Sequence, residues 1–94
     1  MEGTNAFGEA LRSLRLQQRL SQQDFAHVVS REHLSRIERG VSQPSFQLIC
    51  DLAGVLTVHP MSLLANAFLH AGDASELREL LRTIASDLRI NLDQ

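Results

Sequence analysis

A single cysteine, Cys50, and a complete lack of lysine are the first shortages in this sequence. One thiol cannot close an internal disulfide, so a reducing, cytoplasmic setting is expected. No apolar run approaches the roughly 18 residues that suggest a membrane span. The opening stretch MEGTNAFGEA has neither a basic region nor an apolar core, so it does not read as a secretory signal. Internal repeats, low-complexity segments and glycine-rich phosphate loops are all missing. His27, His33, His59 and His70 show no clustered ligand spacing, and a lone cysteine makes no zinc site. No nucleophile and base stand at a recognisable spacing, and Glu9 and Asp51 read as isolated caps or surface charges. The expectation is a binding protein, not an enzyme, with no metal and no cofactor. Cys50 lies beside an apolar stripe and is expected to be a buried small hydrophobe, with a redox sensor as the alternative.

The 94 residues and 44% hydrophobic content suit one domain with a modest core and a short extension. A net charge of −2 argues at first against nucleic acid. The charge is unevenly spread. From Ala10 to Gly40 there are six arginines (Arg12, Arg15, Arg19, Arg31, Arg36, Arg39) against Asp24, Glu32 and Glu38. From Val41 onward three arginines face six acids. The first half can therefore face phosphates while the second is repelled by them. All nine basic residues are arginine, the better bidentate partner for phosphate and guanine. A high-GC coding bias would give the same composition.

Apolar spacing is helical throughout, with no strand alternation, so the fold class is all-α. A first helix is expected after the cap Asn5, running to about Gln18 and burying Phe7, Ala10, Leu11 and Leu14. A second opens at Ser21, where Ser21-Gln-Gln-Asp24 has the capping-box form, and buries Phe25, Ala26 and Val29. The third runs from about Ser30 to Arg39 and stops at Gly40. The fourth follows Pro44 and Ser45, with Leu48, Ile49, Leu52, Ala53 and Leu56 inward. Pro60 starts the fifth, whose apolar residues are Leu63, Leu64, Ala67 and Phe68. A cap at Asp73-Ala-Ser-Glu76 opens a sixth helix to about Ile90, striped by Leu77, Leu80, Leu81, Ile84 and Leu88. Ala71-Gly72 is the one hinge, dividing residues 1–70 from a C-terminal helix at 71–94.

On a helical wheel the third segment places Leu34 and Ile37 on one side with Ser30. Its opposite face carries Glu32, Arg36 and Arg39, flanked by Arg31, Ser35 and His33. Such a face suits a major groove, where bases differ by donor and acceptor pattern: arginine offers a fork to guanine and glutamate accepts from cytosine. A solvated surface with a Glu32–Arg36 pair at i, i+4 is the other reading.

Wider motifs favour the groove. Leu20–Gln23 (Leu-Ser-Gln-Gln), Phe25-Ala26, Leu34-Ser-Arg-Ile-Glu-Arg-Gly40, Pro44 and the Pro-Met-Ser-Leu-Leu run from Pro60 occur in order. From Phe7 to about Leu64 the chain resembles the phage-repressor and Cro-like helix-turn-helix family, also called the XRE family. The resemblance implies a five-helix lambda-repressor-like domain that binds duplex DNA. It further implies that Arg31, Glu32, Arg36 and His33 read bases. Ser21, Gln22, Ser30, Arg39 and Ser42 match positions that grip phosphates. Arg15 and Glu38 match a salt bridge joining the first helix to the end of the third, with a direct phosphate contact as the other role for Arg15. The chain departs from the family pattern in a turn about two residues short between the second and third helices, without the customary glycine. Thr57 also stands where a glycine is expected.

The sixth helix can fold back over the core or pair Leu77, Leu81, Ile84 and Leu88 with a second copy. The second is the expectation, because dimers read two half-sites about 34 Å apart. The partners expected are thus duplex DNA and a second copy, with a protein partner open and no membrane. The rival function is a protein-interaction module that keeps the fold without DNA binding.

Overall fold

The computed structural model describes residues 4–93, and those residues form five α-helices and one 3₁₀ turn with no strand. The helices are α1 (Thr4–Gln17), α2 (Arg31–Glu38), α3 (Phe46–Leu56), α4 (Pro60–Phe68) and α5 (Ala74–Leu88), with the 3₁₀ turn at Gln22–Phe25. Stop and start signals act as the sequence predicts at most boundaries. Ser30 Oγ accepts from the His33 amide and Ser45 Oγ from the Leu48 amide, at 3.1 Å each. Asp73 Oδ1 accepts from the Glu76 amide at 2.9 Å, so each of three helices has one of its orphan donors satisfied. Pro60 opens α4 behind the cap His59, and Gly40 takes φ 77° beyond α2.

One core joins the elements. Phe7 and Leu11 of α1, Phe25 and Val29, Leu34 and Ile37 of α2, Leu52, Ala53 and Leu56 of α3, and Leu63 of α4 are all buried. Packing runs chiefly between α1 and α4, with α2, α3 and the 3₁₀ turn closing around them. α3 and α4 meet at 101°. Among the described residues no single helix is long and apolar enough to cross a membrane.

Five expectations fail locally. Asn5 lies inside α1 instead of capping it, and the residues preceding Thr4 lie outside the described set. The second helix is a single 3₁₀ turn, followed by bends through Val29. Only eight positions separate Ser21 from Ser30, and Ser30 is already committed to capping α2. The chain bridges this gap with i→i+3 bonds, Asp24 to Ser21, Ala26 to Gln23 and Val28 to Phe25. Phe25 and Val29 still point inward, but Ala26 is exposed. Phe68 is 52% exposed and Cys50 is only partly buried, because each sits at the edge of its helix's inward face.

No other element packs closely along α5 among the described residues, and the molecule is elongated, 43 × 23 × 23 Å. Ala85 is buried by the C-terminal tail instead. Arg89 turns left-handed at φ 59°, the Ile90 amide reaches Ala85 O at 2.9 Å, and Ile90 and Leu92 line a hollow with Leu81 and Ala85.

Candidate nucleic-acid interface

The scaffold behind α2 comes first, since a helix can read bases only from a fixed angle. At the end of α1, Arg15 is 8% exposed and forks onto Glu38 of α2, Nε to Oε2 at 2.7 Å and Nη2 to Oε1 at 3.0 Å. Its third nitrogen, Nη1, donates to Leu20 O at 2.9 Å. The hydrogen bond to Glu38 raises the Arg15 pKa; desolvation opposes this and the Glu38 charge assists it. Arg15 is therefore a fixed cation, buried against Glu38. The two bonds of this bidentate pair plus a carbonyl satisfy both buried ions, the condition under which such a pair is tolerated.

Gly8 is a second, unforeseen determinant. A Cβ there would collide with the Ile37 and Glu38 carbonyls, the latter at 2.6 Å. Hydrogen at this position lets α1 pass directly over the last turn of α2. An isolated glycine within a helical stripe was the available signal. Gln18 is also structural, its Nε2 donating to Leu56 O at 2.8 Å and so completing the end of α3.

With its rear face fixed, α2 turns Arg31, Glu32 and Arg36 to solvent, and Ser30 and Arg39 beside it are exposed as well. Gln22, Arg31, Glu32, Ser35 and Arg39 line one shallow open surface, so the 3₁₀ turn and α2 share a face. Ser35 belongs with this group. Arg36 Nη2 lies 3.6 Å from Glu32 Oε1, with both side chains largely in water. That i, i+4 pair stabilises little and can be exchanged for a ligand at low cost. His33 is half-buried, and its Nε2 lies 3.3 Å from Ser42 Oγ, tying the loop after α2 to the helix.

The residues at the 3₁₀ turn are less free. Asp24 Oδ2 accepts from both the Ser21 amide (2.7 Å) and the Ser21 hydroxyl (3.2 Å). Gln22 Nε2 donates to Glu38 Oε1 at 3.3 Å, which joins it to the Arg15 pair. Among the described residues no group of three or more His, Cys, Asp or Glu side chains is arranged to hold a metal.

The helix-turn-helix family matches residues 11–63, more than half the chain, from the second half of α1 to the first turn of α4. The solved structures similar to this chain include two regulators. The restriction-modification controller protein C.AhdI from Aeromonas hydrophila is 32% identical with a TM-score of 0.63, over 67% of this chain and 98% of that one. The clp gene regulator ClgR from C. glutamicum is 30% identical with a TM-score of 0.63, over 68% of this chain and 86% of that one. No curated protein sequence matches the chain. The chain belongs to the XRE-type helix-turn-helix family of DNA-binding transcriptional regulators.

Proposed function

We propose that the protein is a sequence-specific regulator that binds a roughly palindromic operator as a homodimer, placing α2 of each protomer in successive major grooves. The observation that carries this reading is the exposed Arg31–Glu32–Arg36 face on a helix whose angle is fixed by the buried Arg15–Glu38 fork. Arg31, Glu32, Arg36 and His33 read bases in this account. Ser21, Gln22, Ser30, Arg39 and Ser42 hold phosphates, Gln22 by exchanging its bond to Glu38 for one to the backbone. The half-sites lie about 34 Å apart. α5 supplies the dimer contact: Leu77, Leu81 and Leu88 are exposed on a helix along which no other element packs closely among the described residues, and Ile84 continues their stripe. The tail covers the flank of α5 at Ala85 and borders Leu81, which is still 48% exposed. Such a protein works by binding, not turnover, in the compartment that holds the DNA, the cytoplasm.

Selection of duplexes from a random pool, with binding of the winners followed as salt is raised, tests this. A two-fold symmetric sequence whose affinity falls steeply with salt supports it. The second reading, an interaction module without DNA binding, draws on the net charge of −2 and the single-turn second helix. It requires no enriched sequence, and indifference of function to Arg31→Ala and Arg36→Ala.

A further inference from the structure

The direction in which α5 leaves the body rests on very little. α4 ends with Leu69 in extended geometry, without a left-handed cap, and His70 to Asp73 are exposed. Beside this connector an open cleft is lined by Glu9 and Ser13 of α1 and by Asn66, Phe68 and His70, with no residue from α5. Packing therefore does not aim the helix. One side chain spans the connector instead. Glu76, in the first turn of α5, accepts the His70 amide on Oε2 at 2.7 Å and the Gly72 amide on Oε1 at 2.8 Å. Its own amide donates to Asp73 Oδ1 at 2.9 Å. Gly72 takes φ 71° between these bonds, so the connector bends while both oxygens of the carboxylate remain engaged.

We infer that Glu76 is a positioning residue for operator recognition: by bridging the His70 and Gly72 amides it aims α5, and so sets the half-site spacing that the dimer accepts. This rests on the dimeric operator reading above. Two recognition helices joined through α5 can stand only at the separation and rotation that the α4–α5 angle gives. Each added base pair moves a half-site by about 3.4 Å and turns it by roughly a tenth of a turn. A fixed angle rejects such shifts, whereas a loose one tolerates them. The 15-residue helix lies outside the matched family region, so spacing is a property this chain adds to the shared domain.

Two measurements on the full chain separate the inference from the reading it rests on. The first is the distance distribution between spin labels at Gln47→Cys and Thr83→Cys in a Cys50→Ser background, diluted with unlabelled protein. A narrow distribution that broadens in Glu76→Ala, but not in Glu79→Ala on the same helix, is expected. An unchanged distribution overturns the inference. The second is binding to the selected operator with zero, one or two base pairs inserted or removed at its centre. The parent protein should prefer one spacing by roughly tenfold or more, and Glu76→Ala should bind the neighbouring spacings within about threefold of it. Retention of the full preference by Glu76→Ala also overturns the inference and leaves the operator reading intact. A parent protein that is monomeric, or indifferent to spacing, overturns the operator reading itself.

Discussion

At the scale of single residues, Arg15 and Glu38 carry the largest individual stake in the domain. Each is desolvated, and each satisfies the other through two bonds. Arg15→Ala would leave the Glu38 carboxylate buried without its cation and should cost about 3–5 kcal/mol of stability, read from urea unfolding. Thr57 illustrates a smaller strain. It ends α3 in the left-handed region at φ 54°, where its amide and that of Val58 close onto Gly54 O and Ala53 O. A β-branched side chain is disfavoured there, so Thr57→Gly should stabilise the fold by about 1 kcal/mol, visible as a raised Tm. In the proposed reading Arg36 serves function and not stability. It gives up only a loose, exposed pair with Glu32, so Arg36→Ala should leave the Tm unchanged. On the selected operator the same change should cost about 1–3 kcal/mol and relax discrimination at one base position.

Among the elements, α2 and α5 show two ways of holding a helix. α2 is held from behind by Leu34, Ile37, Glu38 and the close pass of Gly8, so its outer face is free to be entirely polar. α5 is held at its first turn by hydrogen bonds to Glu76, with no other element packed closely along it among the described residues. Those two amide bonds depress the Glu76 pKa below its usual 4.5, with the nearby His70 charge a lesser contributor. A carboxylate with a lowered folded pKa contributes fully above its unfolded value and loses that contribution as pH falls through the lowered one. Exchange protection of the His70 and Gly72 amides should therefore hold above pH 4.5 and collapse on further acidification. Glu76→Gln should show the weaker protection at every pH.

For the whole molecule, the elongated shape follows from a core that stops at α4. The ten residues of the buried core cluster all precede α5, whose Leu77, Leu81 and Leu88 then face water. Leu81→Glu should consequently leave the thermal unfolding of the core almost unchanged while turning a dimer into a monomer, as sedimentation equilibrium would report. Operator affinity should fall on the order of a hundredfold, because the second half-site contact would no longer be tethered to the first. A large loss of core stability in that variant would mean instead that α5 belongs to the domain's own packing.

What the sequence by itself determined is what acts over a few residues. The 3.6-residue stripes gave the helices, and Ser30, Ser45, Pro60 and Asp73 gave their starts, because caps and amphipathic faces are satisfied within one or two turns. Family motifs between Leu20 and the start of α4 supplied the fold and the side of α2 proposed to face DNA. The Arg15–Glu38 partnership came from that resemblance and not from spacing, since 23 residues separate the pair. Only the tertiary structure decided that the second helix shrinks to a 3₁₀ turn, a length set by where α2 must begin. It also decided that Gly8 is a crossing point, a contact between residues about thirty positions apart. And it decided that Glu76, read in the sequence as an ordinary cap residue, reaches back across the connector. Each of these depends on how separate segments meet in space, which local periodicity does not encode.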